Sequence, residues 1–254
     1  MADGGHASER SDARPIRLLD LTLPSPAGNL ALDETLLDEA DERGGDPVLR
    51  FWESDRHFVV LGRSSRLDDD VHVAVCEADG VPVLRRASGG GTVLQGPGCL
   101  SYALVLPLDL HPHLASIRST YRFILDRIAA ALQRWEPAIA FHGISDLAIE
   151  GMKVSGNAQR RQRRALLFHG TVLYGMQAGM IARYLKHPAR QPDYRRNRPH
   201  EAFVRTINAK PDEIKQAVAE AWSVGSTLDT WPDVRLQGRI MDVMRRSDFS
   251  ARRS

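Results

Sequence analysis

Three short stretches of this chain hold residue types that can do chemistry together. The first is Arg85-Arg86-Ala87-Ser88-Gly89-Gly90-Gly91-Thr92-Val93. Consecutive glycines let a backbone approach a ligand closely and turn its amides toward it. Two adjacent guanidiniums suit a phosphate or a carboxylate. The spacing matches neither the GxGxxG dinucleotide fingerprint nor the GxxxxGK[ST] phosphate loop. From these residues alone, an anion-binding loop and a tight strand connection with solvated arginines both remain open. The second stretch runs from Ser145 and Asp146 to Lys153-Val154-Ser155-Gly156-Asn157-Ala158-Gln159. A lysine between a strand-like run and a turn of small residues is a point charge beside backbone donors. Such a group stabilises charge developing on a phosphate or acyl oxygen. An exposed hairpin lysine would look the same in isolation. The third stretch is Phe168-His169-Gly170-Thr171-Val172-Leu173. Here His169 is a candidate base, ligand or hydrogen-bonded structural residue.

Other chemistries find less support. Of the two cysteines, Cys76 sits in a helix-like run and Cys99 follows Gly96-Pro97-Gly98. Cys99 is a candidate nucleophile, yet no cation lies beside it in sequence to favour its thiolate. Two cysteines cannot build a disulfide framework. No HxxxH or CxxC spacing points to a structural metal.

These stretches need a scaffold, and the apolar periodicity supplies one. Strands are expected at 16–23, 48–53, 58–62, 83–86, 100–106, 138–141, 146–149 and 165–173. The 100–106 run is apolar without alternation and stops at Pro107, the pattern of a strand buried on both faces. Helices are expected at 29–43, 68–78, 117–132, 178–185 and 211–222, from apolar residues three and four apart. The turn Glu150-Gly151 predicts a hairpin joining 146–149 to 153–155. The glycine loop therefore follows a strand, and Lys153 starts the second arm of a hairpin. The pattern predicts an α+β (α/β layered) protein.

The chain has 254 residues, enough to bury a core without staples. Its 43% hydrophobic and 26% charged composition excludes a wholly disordered or collagen-like chain. No apolar run reaches the ~18 residues of a membrane helix, and the polar start is no secretory signal. A cytoplasmic location without a membrane partner is expected. Residues 1–14 read as a disordered leader, 15–245 as a single domain, and 246–254 as a flexible basic tail. The net charge of +2 hides a segregation: 29–80 hold 14 acidic and 5 basic residues, 153–210 hold 13 basic and 2 acidic. The basic half suits an anion or an acidic protein. Arg160-Arg161-Gln162-Arg163-Arg164 comes without a stacking-aromatic pattern, so nucleic acid is not expected.

In this order the motifs resemble the lipoate–protein ligase and octanoyltransferase family, which shares its catalytic fold with biotin–protein ligases. The resemblance spans nearly the whole chain. It runs through Asn29-Leu30-Ala31-Leu32-Asp33-Glu34, Leu61-Gly62-Arg63, the Arg85–Val93 loop, Lys153 to Gln159 and His169 to Leu173. It implies a mixed, largely antiparallel sheet flanked by helices. It also implies an activity that joins lipoate or octanoate to ATP as an acyl-adenylate and passes the acyl group to a lysine of a lipoyl domain. Carried over, Arg85 and the backbone from Gly89 through Gly90, Gly91 and Thr92 to Val93 would hold phosphate and acyl carbonyl, with Ser88 beside them. Lys153 would be catalytic. Ser155, Gly156, Asn157, Arg160 and His169 would line the pocket, with Gly170 and Thr171 by the nucleotide. Asp146 would contact the adenylate or Mg²⁺, which comes with ATP.

The departures shape the expectation. Ser145 replaces the family's asparagine before the aspartate. Gly96-Pro97-Gly98 follows the glycine loop where ligases often carry His-Asp, and is a feature of the transferase branch. In transferases with a Lys-Val-Ser-Gly type of motif, the thioester cysteine lies a few residues before 146–149. Phe141-His142-Gly143-Ile144-Ser145 contains none. An adenylating ligase is therefore the expected activity, because thioester catalysis requires a thiolate. A transferase acting through Cys99 and a non-catalytic adapter for acyl groups or lipoyl domains are the alternatives. The chain is shorter than ligases with a C-terminal accessory domain, so a small accessory partner subunit is a further expectation.

Overall fold

The computed structural model describes residues 14–249. The expected leader lies outside the described residues except for Arg14, which pairs with Asp109. The first elements are β1 (Ile16–Asp20), α1 (Pro26–Arg43), β2 (Val48–Trp52), β3 (Phe58–Leu61), α2 (Leu67–Asp70) and α3 (Val73–Ala78). Next come β4 (Val83–Arg85), β5 (Val93–Gln95), β6 (Cys99–Pro107), α4 (Ile117–Leu132), β7 (Ala140–His142), β8 (Asp146–Ile149), β9 (Met152–Arg161) and β10 (Ala165–Leu173). Then α5 (Ala178–Tyr184), α6 (His200–Phe203), α7 (Pro211–Ala221), β11 (Val224–Thr227) and α8 (Asp233–Arg246) complete the order.

Eight strands form one sheet in the order β11-β1-β2-β6-β10-β9-β8-β7, and three form a second, β4-β3-β5. In the large sheet β1 runs parallel to β2 and β11, and all other pairs are antiparallel. This is the mixed, largely antiparallel α+β architecture expected. β6 explains its own sequence: Leu100, Tyr102, Leu104 and Leu106 join the core under α4 and α7, while Ala103 and Val105 join the core under α1 and α8. Both faces of the strand are covered, so both must be apolar. A third cluster packs the small sheet against α3, α5 and α6.

Several boundaries differ from the periodic reading, each for a local reason. The Ser25 side chain accepts from the Gly28 amide and proline enters the first turn, so α1 begins ahead of residue 29 and β1 stops before 23. The expected helix at 68–78 is two pieces. Val71 bridges to Leu185 and the His72 amide donates to the Tyr184 carbonyl, which pulls the backbone out of the helix. The β8–β9 hairpin turns at Glu150-Gly151 with positive φ at both residues, the geometry of a tight hairpin turn. Of the residues expected as a tail, Arg246 ends α8 and Ser247 and Phe249 pack back onto the chain, while 250–254 lie outside the described residues. Among the described residues no helix is long and apolar enough to cross a membrane.

Candidate active site

Between the glycine loop of the small sheet and the β6–β10–β9 face of the large one lies an open cleft. Its walls include Gly90, Gly91, Thr92 and Val93 from the loop, and Lys153, Gly156, Asn157 and Ala158 from β9. Tyr102 of β6 and His169, Gly170 and Thr171 of β10 complete the polar side. Leu30, Trp52 and Val60 supply an apolar end.

The loop is shaped by Arg86. Its guanidinium donates to the Gly89 carbonyl at 2.6 Å and the Gly91 carbonyl at 2.9 Å. A trans peptide puts the N–H opposite the C=O, so the Gly90 and Thr92 amides point away from Arg86. Neither donates within the described residues. They form a concave pair of donors of the kind that receives an anion. The close approach requires glycine just past β3, since a Cβ at Gly62 would lie 2.0 Å from the Gly90 carbonyl oxygen. Burial pushes the Arg86 guanidinium down to about 10, which leaves it charged at neutral pH.

Across the cleft, the Lys153 ammonium lies 2.8 Å from Asp146 Oδ1, with a quarter of the lysine side chain still exposed. The hairpin register places the two groups side by side: Asp146 of β8 sits opposite Gly156, two residues beyond the bulge that follows Leu147. Tyr194 donates to the other oxygen, Asp146 Oδ2, at 2.7 Å. Burial beside Asp146 raises the Tyr194 phenol, so it stays a donor. Asn157 accepts from the Tyr102 hydroxyl and donates to the Ser145 carbonyl at 2.8 Å. Gly170 makes room for it, since a Cβ there would stand 1.7 Å from Asn157 Oδ1.

His169 is held neutral. Burial, with the Arg86 charge nearby, pushes its imidazole down to about 3. Ser88 Oγ lies 2.6 Å from His169 Nε2 and receives a hydrogen bond from Arg86 Nε at 3.0 Å. A neutral Nε2 can accept a hydrogen bond from the Ser88 hydroxyl, whose oxygen in turn accepts from Arg86. His169 is thus a scaffold for the loop rather than a base at neutral pH.

The structure brings most of the expected residues together. Gly90, Gly91, Thr92, Val93, Lys153, Gly156, Asn157, His169, Gly170 and Thr171 line the cleft. Asp146 joins through Lys153, Ser88 through His169, and Ser155 is buried behind Asn157. Gly89 contributes a carbonyl to Arg86 rather than a wall. Two arginines stand elsewhere. Arg85 turns away from the cleft and donates to the Gly62, Arg63 and Ser65 carbonyls, so its place at the loop belongs to Arg86. Arg160 does not line the cleft; it lies farther along β9, two residues past Ala158 and on the same face. Alternation along the strand implies that Arg85 and Arg86 point oppositely, but not which one meets the loop. Tyr102 and Tyr194 had no local signal, since one sits in an apolar strand and the other in an irregular arginine-rich segment.

Cys99 is buried and absent from the cleft wall. Burial pushes its thiol up to about 12. Cys76 is buried in the cluster under the small sheet. Among the described residues no three His, Cys, Asp or Glu side chains converge as a metal site.

The early motif Asn29–Glu34 also finds its purpose. Arg50, fully buried, donates to Asp33 Oδ1 at 2.6 Å and to Asn29 Oδ1 at 2.7 Å. Glu34 accepts from the Ala87 amide at 3.3 Å, just ahead of the glycine loop.

Comparison with known proteins places this arrangement among relatives. The lipoyl protein ligase A/B catalytic domain model matches residues 25–223. A Mycoplasma pneumoniae protein named for lipoate-protein ligase A is 32% identical over 65% of this chain. The chain spans about half the length of that relative, 48% of it. The octanoyltransferase LipM of Carboxydothermus hydrogenoformans is 31% identical, over 82% of this chain and 86% of that protein. A solved structure of the bipartite lipoate protein ligase and E2 lipoyl domain system of Thermoplasma acidophilum superposes with a TM-score of 0.73. It is 21% identical and covers 91% of this chain and 92% of that one. A crystal structure of lipoate-protein ligase A bound with ATP also superposes with a TM-score of 0.73. It is 20% identical and covers 91% of this chain and 94% of that one. At these identities the two structures establish a shared fold.

Proposed function

This chain belongs to the lipoyl protein ligase A/B catalytic-domain family, and from that premise we propose that it is an ATP-dependent ligase. It joins lipoate or octanoate to a lysine of a lipoyl domain through an acyl-adenylate. One observation carries the choice of ligase over thioester transferase: both cysteines of the chain are buried and neither lines the cleft. A thioester route needs a thiolate at the reacting carbon, and burial opposes one at Cys99.

The remaining groups suit the adenylating chemistry. A carboxylate oxygen of the acid attacks the α-phosphorus, and the bond to pyrophosphate breaks. The acceptor amine then attacks the acyl carbon, loses its proton, and AMP leaves. Charge develops on phosphoryl oxygens in the first step and on the acyl oxygen in the second. Lys153 and the outward amides of Gly90 and Thr92 are fixed donors for that charge, and fixed donors need no reorganisation as it forms. The relatives named for lipoate ligation, and the ATP-bound neighbour of the same fold, support lipoate and ATP as substrates. Mg²⁺ enters on the nucleotide's phosphates. Asp146 already engages both its oxygens, so we assign it to holding Lys153. The bipartite system with its lipoyl domain supports such a domain as acceptor.

Similarity to octanoyltransferase LipM favours the second reading, acyl transfer from a thioester. The test is pyrophosphate release with ATP, Mg²⁺ and lipoate or octanoate, for wild type, Lys153→Ala and Cys99→Ser. The ligase reading expects acid-dependent release that survives Cys99→Ser and falls by about a hundredfold or more in Lys153→Ala. Acyl transfer from a thioester donor without ATP, lost in Cys99→Ser, would establish the transferase.

A further inference from the structure

Helix α8 lies outside the residues matched by the family model, which end at 223. Its end nevertheless reaches the strand that launches the glycine loop. β4 pairs with β3 along one edge, Leu61 opposite Arg85. On the other side of Arg85, the Ser247 hydroxyl accepts from the Arg85 amide at 2.9 Å and Arg246 Nε donates to the Arg85 carbonyl at 2.6 Å. Two side chains thus satisfy the backbone groups of Arg85 that a further strand would take.

The same arginine closes a second contact. Arg246 forks onto both carboxylate oxygens of buried Glu34, and Glu34 accepts from the Ala87 amide. Residues 85 and 87, immediately before Ser88-Gly89-Gly90-Gly91, are therefore held by α8 directly and through α1. Val243 and Leu236 fix α8 by burying their side chains in the cluster that covers α1. Arg85 completes the arrangement from the other direction, with its guanidinium 5.4 Å from the Phe249 ring centroid.

We propose that Arg246 and Ser247 are positioning residues for the substrate-binding glycine loop, so that the end of α8 completes the active site of this chain. The glycines have no side chains to hold their conformation, and Gly90 has a φ of 89°. Their amide directions depend on Arg86 within the loop and on the frame at 85–87 outside it. Loosening that frame raises the population of loop conformations that do not bind substrate, and apparent affinity falls in proportion. The kinetic expression of the proposal rests on the ligase reading; the structural expression does not.

The test is hydrogen exchange on the full chain, comparing wild type with Ser247→Ala, Arg246→Lys and Arg246→Gln. Each Arg246 substitution breaks the fork onto Glu34, whereas Ser247→Ala removes the hydroxyl's bonds to the Arg85 amide and the Val243 carbonyl and leaves that pair intact. The proposal expects amides 85–87, which donate to Ser247, Leu61 and Glu34, to exchange about threefold to tenfold faster in Ser247→Ala, through loss of the bond at Arg85. Peptides of β6 and β10 should exchange as in wild type. Arg246→Lys should fall between wild type and Arg246→Gln. In pyrophosphate release, KM for ATP or acid should rise by the factor by which the binding-competent loop population falls, while kcat changes less. Unchanged exchange at 85–87 in a folded Arg246→Gln or Ser247→Ala chain would overturn the proposal. So would faster exchange spread evenly over the whole chain. Faster exchange confined to 85–87 in a chain whose wild type releases no pyrophosphate would uphold the clamp and sink the ligase reading alone.

Discussion

Asp146 holds the Lys153 ammonium with one carboxylate oxygen, at 2.8 Å, and the Tyr194 hydroxyl with the other, at 2.7 Å. The lysine proposed to meet developing charge is therefore aimed by a carboxylate that is itself aimed. Tyr194 comes from a segment that wraps the β8–β9 hairpin. Arg198 donates to the Gly151 carbonyl in the hairpin turn, and the Arg205 amide donates to the Lys153 carbonyl.

Tyr194→Phe removes the donor and keeps the ring packed against Phe203. A hydrogen bond to a charged group contributes about 1.5–3 kcal/mol. The expected result is a fall in kcat of about tenfold to a hundredfold, with a much smaller change in KM for ATP and acid. Steady-state pyrophosphate release measures both constants. Wild-type kcat in a folded Tyr194→Phe chain would show that Lys153 needs no such support.

The neutral His169 predicts a pH dependence of stability. Its folded pKa, about 3, lies below an unfolded value of about 6.5. Between these values the unfolded chain binds a proton that the folded chain refuses, so stability falls as pH drops through 6.5 toward 3. The slope is about 1.4 kcal/mol per pH unit for one such group. Urea unfolding at pH 7 and pH 5 should therefore lose about 2 kcal/mol less in His169→Gln than in wild type. The residual loss belongs to His57, His111 and His200, whose burial also lowers them. An equal loss in both chains would remove His169 from the account.

The Asp33–Arg50 pair, whose Asp33 lines the apolar end of the cleft, predicts a large stability effect. Asp33→Ala strands a guanidinium that has no exposure to water. Breaking a buried pair from one side costs about 3–5 kcal/mol. Exchanging Asp33 and Arg50 together for apolar residues should cost clearly less, because no charge is left behind. Denaturant midpoints for the two chains decide the matter; equal losses would mean that packing, not the stranded charge, sets the cost.

By itself, the sequence determined the layered α+β class, the β8–β9 hairpin and the three motifs whose residues line the cleft. Those features are local. Apolar spacing reports which faces are covered, Glu150-Gly151 reports a tight turn, and consecutive glycines report a close approach. Only the tertiary structure decided that Arg86 rather than Arg85 shapes the loop, since the strand's alternation is visible in one dimension while the identity of each covered side is not. Tyr194 meets Asp146 across 48 positions, and Arg246 meets Glu34 across 212; no local pattern encodes such pairs. Cys99 needed the same information in reverse. Its sequence neighbours left it open as a nucleophile, and only its packing with Leu94, Leu173 and Met176 in the cluster under the small sheet buries the thiol away from the cleft.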